Sequence, residues 1–111
     1  MYVPIAEDVE RLYKNAVAKD LKTAFPYWAK LWPSSIAVAN FIVQHPASIA
    51  GRKVREIAAG LGLPALVAAP FASSICCTDM HEEAMEVVSK SAAMMGLQHM
   101  QCIAMNWNEI D

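Results

Sequence analysis

One stretch constrains the fold more than any other: Lys53-Val-Arg-Glu-Ile-Ala-Ala-Gly-Leu-Gly-Leu-Pro64. Lys53–Ala58 reads as a short strand, entered after the turn residue Gly51. Gly60-Leu-Gly62 makes a tight turn, and Pro64 suits the first position of a helix, where a missing N–H costs nothing. That helix is expected to run to about Phe71, with Pro70 ending it. A second strand, Ser73–Thr78, follows, with Asp79 at its C-terminal tip. Glu82–Met95 has helical periodicity, with Ala84, Val87, Val88, Ala92 and Met95 inward and Gly96 as the stop. His99–Met105 is a third strand. Strands alternating with helices imply parallel pairing. The expected fold is therefore α/β, a βαβαβ half of a doubly wound, Rossmann-like sheet.

Two helices are expected ahead of this unit. Ile5, Val9, Leu12, Ala16 and Val17 recur at helical spacing over residues 5–19, with charged residues between them. Residues 20–33 hold two prolines and four large aromatics, which makes an ordered but irregular segment. Ser34 or Ser35 can cap the next helix, Ile36–Gln44, which is nearly all apolar and is expected to be buried. The chain thus divides into an N-terminal helical and aromatic segment, 1–50, and a βαβαβ half-domain, 51–111.

Composition excludes several classes. With 111 residues, 56% of them hydrophobic and 18% charged, the chain is one domain at most and too apolar for disorder. Its net charge of −2 offers no basic field for nucleic acid. The longest uncharged stretch, 57–78, is broken by two glycines and two prolines, so it reads as buried interior rather than a membrane span. The N-terminus has no secretory pattern. The three cysteines, Cys76, Cys77 and Cys102, are an odd set with two adjacent, a poor disulfide framework that fits the cytoplasm. No C-x-x-C pair points to zinc. The seven methionines read as core filler, and His45, His81 and His99, at element ends, as solvated.

The chemistry lies in the glycine turn and the acid. Glycine lets the backbone bend sharply and approach a ligand. An acid ~20 positions on, at the next strand tip, accepts hydrogen bonds from ribose hydroxyls. Asp79 equally suits the N-cap of the helix that follows. Spacing alone does not choose the nucleotide, since Gly60-Leu-Gly-Leu-Pro-Ala65 also fits the dinucleotide fingerprint. A pyrophosphate, however, needs free N–H donors at the helix start, and Pro64 removes one. An S-adenosyl ligand needs none. Glu56, within an apolar strand, requires a partner, either protein N–H groups or a cationic ligand.

Phe25-Pro-Tyr-Trp-Ala-Lys-Leu-Trp-Pro-Ser-Ser35, then Val54–Pro64, Cys77-Thr-Asp-Met80 and Asn106-Trp-Asn108 resemble the class I S-adenosylmethionine-dependent methyltransferases. The similarity is strongest to the subgroup of protein-lysine and nicotinamide N-methyltransferase-like proteins. It runs from about residue 25 onward, and the Trp-Pro-Ser run is its most specific part. The resemblance implies that Glu56, Gly60 and Gly62 form the loop around the methionine part of the cofactor. Ala58 stands where the family has its first glycine. By the same resemblance Asp79 holds the ribose and Met80 flanks the adenine. Asn106 and Trp107 match a loop where an Asp-Trp pair meets the adenine. Trp32, with Trp28 beside it, matches the aromatic segment that closes over the cofactor.

The resemblance also implies S-adenosyl-L-methionine as cofactor and nitrogen of a protein lysine or small amine as methyl acceptor. It implies a seven-stranded sheet in the order 3-2-1-4-5-7-6, of which this sequence reaches only strand 3. The outer side of strand 1 is then an open edge, which tends to pair with another chain. Truncation of a longer enzyme, a homodimer through that edge, and a separately encoded C-terminal half all accommodate this. No catalytic residue is assigned. Two rivals stand beside this reading: an NAD(P)-binding oxidoreductase fragment, and a non-catalytic self-associating module.

Overall fold

The computed structural model describes residues 1–18 and 26–109, without the side chains of 12 and 16–18. Helix α1 spans Ala6–Ala18 and α2 spans Pro33–Gln44. Then come β1 (Lys53–Glu56), α3 (Leu63–Ala68), β2 (Ser74–Asp79), α4 (Glu82–Met94) and β3 (Met100–Ala104). Single 3-10 turns lie at Tyr27–Ala29, Pro46–Ser48 and Trp107–Glu109. The side chains at positions 12, 16 and 17 of the apolar repeat in α1, and the irregular residues 20–25, lie outside this description.

The three strands form one parallel sheet in the order β1-β2-β3. Lys53 pairs with Ser74 and Glu56 with Cys77, while Ile75 pairs with Met100 and Asp79 with Ala104. This is the βαβαβ unit expected from the alternation of strands and helices. The core lies between the sheet and its helices, where Leu66, Ile75, Cys77 and Val88 are fully buried. Further bonds tie the strand ends together: Ala59 N–H to Thr78 O at 3.0 Å and Met105 N–H to Asp79 O at 2.8 Å. The Thr78 hydroxyl donates to Glu56 O at 2.8 Å. These bonds hold the C-terminal ends of all three strands in register, the edge where open α/β sheets bind ligands.

Several local expectations are corrected. The first strand ends at Glu56, two residues early, because Ala58 takes a left-handed φ of 52° that no strand allows. Pro33, not a serine cap, opens α2; Trp32 is its N-cap and gives no side-chain bond. Pro64 takes the second position of α3, after Leu63. In α4, Met85 and Ser91 are buried, while Met95 is exposed, because α4 ends at Met94. Ser91 is matched from outside: its hydroxyl accepts the Tyr2 N–H at 2.8 Å, which pins the N-terminal segment to α4. Of the methionines only Met85 is in the core, and Met80 and Met94 are well exposed. His99 is exposed, as expected, and its Nε2 also bonds Ala69 O at 2.7 Å.

The largest correction concerns α2. It carries no charged residue and was expected to be buried, yet only Ala39 and Ile42 are. The helix packs against α3, and Ile42 joins the core cluster that includes Ala65 and Ala68 of that helix. Ile36, Val38, Phe41 and Val43 are 43–59% exposed. A helix apolar on all sides is normally covered on all sides, and among the described residues nothing covers this face. Nor does any described strand pair with the outer edge of β1, as the order of the sheet requires. Among the described residues, no helix is long and apolar enough to cross a membrane.

Candidate functional site

A cleft of about 420 Å³ opens over the C-terminal ends of the strands, a size typical of small-molecule sites. Its floor is Ala58–Leu63. One wall comes from the aromatic segment before α2, with Trp28, Lys30 and Trp32, and the far side is Asp79, Met80, Asn106 and Trp107. Eight of the nine residues singled out in the sequence line this space: Trp32, Ala58, Gly60, Gly62, Asp79, Met80, Asn106 and Trp107.

The ninth, Glu56, does not. Its carboxylate accepts the Ala65 N–H at 3.0 Å, so its partner is protein backbone at the start of α3. Burial pushes its pKa up to about 7; the Ala65 bond opposes the rise and the nearby Asp79 charge adds to it.

Asp79 is the one acidic side chain on the cleft wall, and it is 6% exposed. Its Oδ2 accepts the Gly60 N–H at 2.9 Å and its Oδ1 accepts the His81 N–H at 2.9 Å. It does not cap α4, whose N-cap is His81. The carboxylate thus clamps the glycine turn to the β2 tip. An ionised carboxylate has about four lone-pair sites, so two remain for a ligand. Adjacent hydroxyls of a ribose are suitable donors.

The glycines have a reason within the chain itself. Gly60 has φ +56°, and a Cβ there would stand 3.2 Å from the Trp28 carbonyl oxygen. Gly62 has φ +72°, and a Cβ would meet Val88 at 2.9 Å. The first glycine lets the aromatic segment lie over the turn, and the second lets α4 pack beneath it.

The start of α3 is poorly equipped for phosphate. Pro64 has no N–H, the Ala65 N–H is taken by Glu56, and the Leu66 N–H by Gly62 O at 2.9 Å. Of the first four positions only Leu63 could offer a donor, whereas pyrophosphate sites rely on several.

The remaining wall is aromatic and amide. Trp32 donates its indole N–H to Tyr27 O at 2.8 Å, and the Lys30 ammonium sits 4.4 Å from the Trp32 ring centroid. Trp107 is 58% exposed, a large ring left at the cleft mouth. Asn106 Oδ1 accepts the Asn108 N–H at 3.0 Å, which shapes the turn that carries this ring. Sequence reasoning missed Tyr27, Lys30 and Leu31 as lining residues. Their signal was present: they occupy the same aromatic run as Trp32, in a turn that brings neighbours to one wall. The thiols offer little nucleophilic chemistry, since burial pushes those of Cys77 and Cys102 above their usual range.

No family model matches the chain. Over 82 residues it is 30% identical to human histone-arginine methyltransferase METTL23, covering 72% of this chain and 43% of that protein. It is likewise 30% identical over 82 residues to the zebrafish electron transfer flavoprotein beta subunit lysine methyltransferase, covering 73% and 32%. A 43-residue stretch is 46% identical to the fission yeast protein N-terminal and lysine N-methyltransferase efm7, covering 38% and 17%. The chain spans less than half the length of these relatives. Among solved structures, an RNA methyltransferase of Pyrococcus horikoshii superposes with a TM-score of 0.61 at 16% identity, covering 91% of this chain and 52% of that one. The ribosomal protein L11 methylase of Lactobacillus delbrueckii gives 0.59 at 21%, covering 70% and 41%. At these identities the structural likeness establishes the fold alone: part of the Rossmann-like methyltransferase sheet.

Proposed function

We propose that this homologue of the class I S-adenosylmethionine-dependent methyltransferases, which carries part of their fold, binds S-adenosylmethionine in the cleft above Gly60. The observation that carries the reading is the Asp79 carboxylate. It is buried at the tip of β2, fixed by the Gly60 and His81 N–H groups, and left with acceptor capacity toward the cleft. Asp79 would take the ribose hydroxyls. Met80, Asn106 and Trp107 would bracket the adenine. Ala58, Gly60 and Gly62 would lie under the sulfur and the amino-acid tail, with Trp32 as the covering wall. Glu56 serves the same site from behind, by holding the start of α3.

The near absence of free N–H donors at that helix start favours a sulfonium nucleoside over a dinucleotide. Bound there, the cofactor supplies an electrophilic methyl group, and transfer rests mainly on lining it up with an acceptor lone pair. The three named relatives act, by their names, on protein nitrogen. Nitrogen of a protein side chain, such as lysine, is therefore proposed as the acceptor class, ahead of a small free amine.

The acceptor side has no counterpart among the described residues. The open β1 edge and the bare α2 face are proposed to be covered by a second copy of this chain.

Calorimetry on the folded chain tests the cofactor assignment. S-adenosylhomocysteine is expected to bind and NADH is not. Tight NADH binding with no response to S-adenosylhomocysteine overturns the reading.

A further inference from the structure

We propose that Lys30 is the cleft's receptor for the ligand's carboxylate, so that the site selects amino-acid nucleosides over nucleosides without an acid group. This rests on the cofactor reading above and extends it to a residue that neither the sequence motifs nor the comparisons assign.

Strand order carries the argument. The cleft runs across the strand ends in the order β1-β2-β3. Asn106 and Trp107 follow β3, and Asp79 ends β2. A nucleoside with its base against Trp107 and its ribose on Asp79 must direct its 5′ substituent toward the loop after β1. There it meets Ala58–Gly60 and the segment lying over them, whose Trp28 carbonyl oxygen approaches Gly60. For S-adenosylmethionine that substituent ends in an ammonium and a carboxylate.

The charges lining the cleft are few. Asp79 is on the ribose side, with two of its acceptor sites already used. His81 adjoins it at the β2 tip. Lys30 is the one lysine or arginine on the lining, and it belongs to the β1-side wall. It makes no salt bridge among the described residues. Its ammonium stays near the cleft by resting on Trp32, 4.4 Å from the ring centroid, and Trp32 is itself held by its bond to Tyr27 O. An ammonium drawn to an aromatic face directs part of its N–H at the ring and keeps its other donors free for a partner. A carboxylate arriving from the ribose side fits that position, whereas an uncharged tail gains nothing there.

The test compares S-adenosylhomocysteine with its decarboxylated analogue, which keeps the nucleoside, the thioether and the ammonium. Both are titrated into the chain and its Lys30→Met variant, which retains a stem to cover Trp32. Loss of one charge-assisted contact at an open site is expected to weaken S-adenosylhomocysteine about tenfold. The analogue should bind both proteins equally. Equal weakening of both ligands, or no change for either, overturns the role of Lys30 and leaves the cofactor reading in place. If the unaltered chain binds neither nucleoside, the cofactor reading itself fails and this inference with it. Thermal melts check that the variant folds; Lys30 is exposed, and its backbone bond to Tyr27 O is untouched by a change of side chain.

Discussion

Substituting Gly62 by alanine adds a single methyl group, and the structure says where it goes. The residue has φ +72°, a left-handed conformation that costs an L-residue about 1–2 kcal/mol. The new Cβ would stand 2.9 Å from Val88 Cγ1, 3.0 Å from Cγ2 and 3.4 Å from Cys77 Sγ. Val88 and Cys77 are fully buried, and a β-branched side chain in a helix has essentially one rotamer. Neither neighbour can step aside, so α4 or the loop must move, at a cost typical of overpacking, about 1–3 kcal/mol. The sum is about 2–5 kcal/mol, a large share of the roughly 5–15 kcal/mol that stabilises a small domain. For a domain of this size, each kcal/mol moves Tm by about 4–8 °C. Gly62→Ala should therefore melt some ~10 °C or more below the parent by circular dichroism. Ala58→Gly is the control: it relieves a left-handed alanine at φ 52° and should hold or raise Tm. A Gly62→Ala melt within a couple of degrees of the parent would refute the packing of α4 beneath the turn.

The Glu56 carboxyl holds its proton up to about pH 7, against an ordinary value of 4.5, chiefly because of burial. Between those values the folded chain binds more protons than the unfolded one, so stability from this group is full below about pH 4.5 and is lost as pH rises through 7. The loss is at most about 3 kcal/mol; urea titrations from pH 5 to 8 should show it, and Glu56→Gln should remove it. Parallel pH profiles for the two proteins would contradict the burial of this group. Phe41→Glu places a charge on the exposed apolar face of α2 and should lower concentration-dependent association in sedimentation velocity. A parent chain that stays monomeric throughout would exclude a second copy as the cover of that face.

Most of the fold was legible because its signals are local. Glycine, proline and hydrophobic period mark where each element of the βαβαβ unit begins and ends, and each boundary fell within about three residues of its expected place; the widest gap is at α3, expected to reach Phe71 and ending at Ala68. The cleft was legible for a related reason. In a parallel sheet the strand tips converge, so residues found at successive tips, such as Asp79 and Asn106, must become neighbours. The misreadings arose where a residue's environment comes from distant chain. Period and composition say that a helix such as α2 ought to be covered, but not whether the covering surface belongs to the same unit. Gly60 and Gly62 look alike in sequence, both placed for a ligand. Yet one answers to the backbone of Trp28 and the other to Val88, each more than twenty residues away. Glu56 illustrates the reverse. Burying a carboxylate demands a partner wherever the chain leads, and that requirement alone leaves backbone N–H groups as one of two solutions. The structure selects that one, at Ala65. The same reasoning applied to Trp32, an indole in need of an acceptor, leads to Tyr27 O. It leaves the ring face turned toward Lys30, the contact on which the proposed carboxylate site depends.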